Sequence, residues 1–100
     1  MHAARQTSKQ LEVNYLSLSP GIIMIGQADD NDLQIYGPGI SEHHARIVTY
    51  FHESYLINTS VEHGVLLNGE PVIKHTIKPG DVISLGNYQI IIQEPAGWYY

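Results

Sequence analysis

The chain has no cysteine, one phenylalanine, one tryptophan, and only five lysines and arginines against ten aspartates and glutamates in 100 residues. Without thiols there is no disulfide framework, no thiolate metal site and no cysteine nucleophile. Arg5, Lys9, Arg46, Lys74 and Lys78 are all the cations, and two of them fall in the polar first ten residues. No basic stripe is left to follow a nucleic acid backbone. Long apolar runs are missing too. Gly21 to Ile25 and Ile90 to Ile92 are among the longest, against the roughly 20 residues a membrane-spanning helix needs. Met1 to Gln10 carries no apolar signal core. These absences lead us to expect a cytoplasmic protein, or the cytosolic domain of a larger or membrane-anchored one, that does not insert directly into a membrane or bind nucleic acid.

What is present is a foldable apolar content, 43% hydrophobic against 15% charged, in a length suited to one domain. Apolar residues recur at period two or in short runs between breakers, the pattern of strands. Leu11, Val13 and Tyr15 alternate ahead of Ser19-Pro20-Gly21, and Ile22 to Ile25 follows. Leu33 to Tyr36 ends at Gly37-Pro38-Gly39. Ala45 to Phe51 and Tyr55 to Asn58 flank a turn expected at His52-Glu53-Ser54. Val65 to Leu67 runs into Asn68-Gly69, a dipeptide suited to the positive φ of a tight hairpin. Pro79-Gly80-Asp81 and Gly86-Asn87 bracket Val82 to Leu85, and Tyr88 to Gln93 closes the series. The expected fold is all-β: a two-sheet antiparallel β-sandwich of about ten or eleven short strands without substantial helix. It should occupy residues 11–94, after a polar segment 1–10 that makes at most an irregular first strand. Residues 95–100, ending in Trp98-Tyr99-Tyr100, read as a tail leading into a further segment.

The ordered landmarks are Gly26, Asn31-Asp32-Leu33, Ser41-x-x-His44-Ala45, Gly64, Asn68-Gly69 and Gly80-Asp81-Val82-Ile83-Ser84-Leu85-Gly86. In this order and spacing the chain resembles the forkhead-associated (FHA) domain family over about residues 11 to 94. The resemblance implies a sandwich whose end loops recognise a phosphothreonine peptide, with no cofactor, no metal and no enzymatic activity. Carried over residue by residue, it departs from the family where the ligand would sit. The position after the first glycine, usually an arginine that contacts the phosphate, is Gln27. The serine that donates to the phosphate is retained as Ser41, and the often basic position after it is Glu42. His44 matches the histidine that braces the loops. The asparagine expected before the loop glycine is replaced by His63, ahead of Gly64, and two further polar positions of that loop are Val61 and Val65.

A phosphothreonine carries about −1.5 to −2 charges at neutral pH, which an arginine fork meets with paired charge-assisted hydrogen bonds. Such bonds contribute roughly 1.5 to 3 kcal/mol each, so the neutral amide of Gln27 should weaken phosphate binding by about one to two decades. Asp29, Asp30, Glu42 and Glu62 add negative charge to the same loops. Arg46 lies in a strand and can face either sheet surface, while His43 and His63 become cationic in mild acid. Two readings stay open: an interaction or assembly module with weak or no dependence on phosphothreonine, and a phosphothreonine reader in which Ser41 works with Arg46 or the histidines. The partner is a protein or peptide in either case, and self-association through an edge strand is a further option.

Other chemistry fits less well. Asn31 and Asp32 suit a turn held by side-chain to backbone hydrogen bonds, and the aspartates lack the glycine and distant glutamate of a calcium loop. His43 and His44, adjacent on an extended segment, point to opposite faces and would not share a metal. Ser41 lacks the flanking glycines of a nucleophile elbow. Gly26, Asn31, Asp32, His44, Gly64, Asn68 and Gly69 are expected to shape the loops, and Gln27, Ser41, Glu42, Arg46 and His63 to face the partner.

Overall fold

The computed structural model describes residues 12–94; the expected N-terminal segment and the aromatic tail lie outside them. Ten strands make up the described chain: β1 (Glu12–Ser17), β2 (Gly21–Gly26), β3 (Leu33–Gln34), β4 (Ala45–Tyr50), β5 (Glu53–Asn58), β6 (Leu66–Leu67), β7 (Glu70–Pro71), β8 (Lys74–Ile77), β9 (Val82–Leu85) and β10 (Tyr88–Gln93). They form two five-stranded sheets, ordered β1-β10-β9-β6-β7 and β3-β2-β4-β5-β8. The expected two-sheet sandwich is what the chain forms, with one difference in strand direction. β1 runs parallel to β10, and β3 runs parallel to β2. A parallel pair cannot be joined by a tight turn, so local hairpin signals could not report either pairing.

Period-two alternation explains the packing. Ala45, Ile47 and Thr49 of β4 point inward while Arg46 and Tyr50 point out, and the other sheet contributes Ile83 and Leu85 of β9 and Ile90 and Ile92 of β10, which are neighbours within it. Ile25, Ile47 and Leu56 complete the centre, closed at the loops by Leu18, Ile35, Ile40 and Val65. Each fully buried side chain of this size contributes about 1.5 to 3 kcal/mol through burial. Thr49 and Ser54, the polar pair within the core, hydrogen-bond to each other at 2.6 Å.

Several details depart from the strand boundaries read in the sequence. In β1 it is Leu16 that packs on the core, while Val13 and Tyr15 stand 46% and 63% exposed. The β4–β5 reversal sits at Phe51, with φ of 56°, one residue earlier than expected. β3 stops at Gln34 instead of reaching Tyr36, and β8 is an edge strand with three exposed residues that no alternating pattern announces. The Asn68-Gly69 turn has φ of 52° and 88°, the two positive values that its tight β6–β7 hairpin requires. Next to it, the Asp81 carboxylate accepts from Asn68 Nδ2 (3.0 Å), the Lys78 backbone N–H (2.9 Å) and Lys78 Nζ (3.4 Å), and Val82 N–H donates to Asn68 Oδ1.

Candidate functional site

Three connections meet on one another: β2–β3 (27–32), the end of β3–β4 (41–44) and β5–β6 (59–65). Backbone bonds fasten the first to the second, with Gln27 N–H donating to the Ser41 carbonyl (3.0 Å) and Ala28 N–H to that of Glu42 (3.1 Å). Asn31 adds side-chain bonds of 2.8 Å to the carbonyls of Ala28 and Glu42. Asp32 accepts from the Met24 backbone N–H at 2.8 Å. Gly26 is where only a hydrogen fits, since a Cβ there would overlap the Glu42 carbonyl.

His44 fastens the second connection to the third. It is fully buried; its Nδ1 accepts from the Ser41 backbone N–H (3.1 Å) and its Nε2 lies 3.0 Å from the Gly64 carbonyl. A backbone N–H can only donate and a carbonyl can only accept, so the ring is the neutral tautomer with its proton on Nε2. Burial holds this imidazole below the usual histidine range; the Gly64 carbonyl works the other way, and the nearby His63 adds to the lowering. Thr59 completes the fastening, its N–H donating to the His44 carbonyl and its hydroxyl to that of His43.

At the centre stands Ser41. Its Oγ lies 2.6 Å from Ser60 Oγ and 3.0 Å from His63 Nδ1. Ser60 Oγ accepts from the backbone N–H groups of Glu62 (3.2 Å) and His63 (2.9 Å). Both of its lone pairs are then used, which leaves its proton for Ser41. Ser60 was not among the residues singled out in the sequence. Its signal was the serine whose hydroxyl serves the N–H groups two and three residues on, a local motif that competes with regular structure.

The other expected residues divide. Gln27 is beside Ser41 through its backbone, but its amide oxygen accepts weakly from Gly37 N–H at 3.4 Å. Glu42 is exposed. His43 is exposed and pairs with Asp30 at 2.9 Å, so any charge it gains is met by that carboxylate. Val65 belongs to the core, whereas Val61 is fully exposed. Arg46 does not join the cluster: β4 turns it to the outer sheet face, in register with Met24 and Ile57. The remaining described cations are occupied elsewhere, Lys78 against Asp81 and Lys74 over the Tyr55 ring.

Residues 23–86 match the family model described as the FHA domain. The chain belongs to the FHA family. It is 31% identical over 77 residues, 77% of its length, to an ABC transporter ATP-binding/permease protein of Mycobacterium tuberculosis, of which it spans only 9%. Among solved structures, an FHA domain studied for its phosphothreonine-dependent interactions is 30% identical with a TM-score of 0.70, over 74% of this chain and 77% of that one. Mycobacterium tuberculosis EmbR, in complex with a low-affinity phosphopeptide, is 26% identical with a TM-score of 0.73, over 83% of this chain and 22% of that one. Within the FHA fold the loops are fastened through Gly26, Asn31 and His44, and where they meet stand two serines and a histidine, with no cation among the described residues bonded to them.

Proposed function

We propose that this FHA domain is a non-enzymatic protein–protein interaction module whose affinity for phosphothreonine is weak at neutral pH. The observation that carries this reading is the state of Ser41. Its hydroxyl is held between Ser60 and His63, and among the described residues no arginine or lysine is bonded into that cluster, because Arg46 is on the outer face and Lys74 and Lys78 are engaged elsewhere. A phosphate arriving there finds one hydroxyl donor already in use and exposed Glu42 and Glu62 on the adjoining loops. Charge-assisted bonds are about twice as strong as neutral ones, so binding energy has to come from the peptide's other contacts with the loops. Support for peptide recognition as such comes from the family and from two similar structures, one studied for phosphothreonine-dependent interactions and one in complex with a low-affinity phosphopeptide.

The reading is tested by screening a degenerate phosphothreonine peptide library and its unphosphorylated counterpart on the same domain. The expected outcome is selection of peptides whose phosphorylated and plain forms differ in affinity by about tenfold or less, the scale of an ordinary neutral hydrogen bond. A preference of about a thousandfold for the phosphorylated form, lost in Ser41→Ala, would overturn it.

A further inference from the structure

We infer that His63 and Ser60 are positioning residues that set the direction of the Ser41 hydroxyl, and that protonation of His63 turns that hydroxyl from the protein toward a bound phosphate. The inference rests on the preceding reading of the loops as a peptide site and adds the control of that site.

The argument is one of counting donors and acceptors. Ser60 Oγ accepts two backbone N–H groups, from Glu62 and His63, and therefore gives its proton to Ser41 Oγ at 2.6 Å. Ser41 Oγ then has one lone pair and one proton left, and its remaining neighbour is His63 Nδ1 at 3.0 Å. With His63 neutral and its proton on Nε2, Nδ1 is an acceptor and takes the Ser41 proton. The hydroxyl is then closed inward. With His63 cationic, both ring nitrogens donate, and Nδ1–H occupies the last lone pair of Ser41. The Ser41 proton has no inward acceptor left and must point out of the cluster, where a phosphate oxygen can take it. The same proton supplies the positive charge that Gln27 does not.

The surroundings select His63 as the group that responds. His44, whose ring centroid is 5.9 Å away, has Nδ1 committed to the Ser41 N–H and cannot gain a proton without losing that bond. His43 is paired with Asp30. Glu62 and Glu42 on the adjoining loops are exposed carboxylates. His63 itself is half-buried, within reach of solvent.

Two measurements test this. The first is 15N NMR of the histidine rings in the free domain at about pH 7.5, where histidine is mainly neutral: His63 Nδ1 should carry no proton, and Ser41→Ala should change its signal. A protonated Nδ1 at that pH overturns the inward-closed state, whether or not any phosphate binds. The second is titration with O-phospho-L-threonine between about pH 7.5 and 5.5, the range in which histidine gains its proton. Phosphate loses charge over the same range, so the native domain is compared with His63→Asn. Native affinity relative to the variant should rise with acidity, approaching about tenfold per pH unit where one proton is taken up on binding, and Ser41→Ala, which removes the hydroxyl that turns, should reduce that rise while leaving His63 titratable. Parallel profiles for the native domain and His63→Asn would overturn the proposal. Absence of binding by both at either pH would overturn phosphate recognition by Ser41 while leaving the NMR result to decide the hydroxyl's direction.

Discussion

Two clusters of side chains hold loops together at opposite ends of the short strand β6, and they are built on different principles. At the Leu67 end, the Asp81 carboxylate takes three donors, one of them the Lys78 ammonium, and Asn68 spends both ends of its amide on Asp81 and Val82. At the Val65 end, Ser41, Ser60 and His63 share hydroxyl and imidazole protons that can be redistributed without moving a heavy atom. Fixed charge and saturated bonding make the first a clasp. Neutral groups with a titratable member make the second the candidate site. Buried polar groups that are fully matched rigidify a fold, and in this domain that role falls to Asp81 and His44, leaving Ser41 adjustable.

Substitutions can sharpen or break the contrast. The largest effect is expected for His44→Ala, which leaves the Ser41 N–H and the Gly64 carbonyl without partners at about 1 to 3 kcal/mol each. Urea unfolding should show this loss, and a stability within about 0.5 kcal/mol of the native value, the range of a neutral surface change, would mean that the ring does not brace the loops. Asp81→Ala should come next, at roughly 1 to 3 kcal/mol, with peptide binding unchanged; a binding defect in this variant would erase the distinction between clasp and site. Ser60→Ala should cost less, about 0.5 to 1.5 kcal/mol for ordinary hydrogen bonds, and should alter binding more than stability.

Acidity separates the two clusters as well. His44 is held below the usual histidine range by burial, despite the Gly64 carbonyl. The unfolded chain therefore binds the extra proton first, and stability should fall as pH drops from neutrality through the ordinary histidine range, levelling off below the folded-state value. For Asp81, burial pushes the carboxyl up, but the bonds from Asn68 and Lys78 outweigh it and hold it below the usual carboxylate range. Its contribution is present above the ordinary aspartate value and lost as pH falls through the lowered one. Urea midpoints across pH should thus show two separate declines, the upper one absent in His44→Gln and the lower one absent in Asp81→Asn. A single decline unaffected by His44→Gln would contradict the tautomer assigned to that ring.

Much of this was legible in the residues. Alternation in Ala45 to Tyr50 and the Asn68-Gly69 dipeptide report local geometry, so they gave strands and a hairpin that the fold contains. The two parallel pairings escaped because neither is closed by a tight turn: β1 pairs with β10 from the other end of the chain, and β2 with β3 across the 27–32 connection. In the candidate site, Gln27, Glu42 and His63 stood out as departures only through the resemblance to the family, position by position. The outward direction of Arg46 and the bond from Ser60 to Ser41 could not. The first depends on which face of β4 meets the core, the second on a contact between residues 19 positions apart.

The central proposal is that the loops hold Ser41 in place while, among the described residues, no cation stands there to meet a phosphate. Its most direct test is isothermal titration of a phosphothreonine peptide, taken from the library screen, into the native domain and into Gln27→Arg with His63→Asn at about pH 7.5, where phosphothreonine carries most of its charge. The account predicts that the double variant binds tighter by about one to two decades, the contribution of charge-assisted bonds at an arginine. Equal affinity in a variant that folds as stably as the native domain would contradict it.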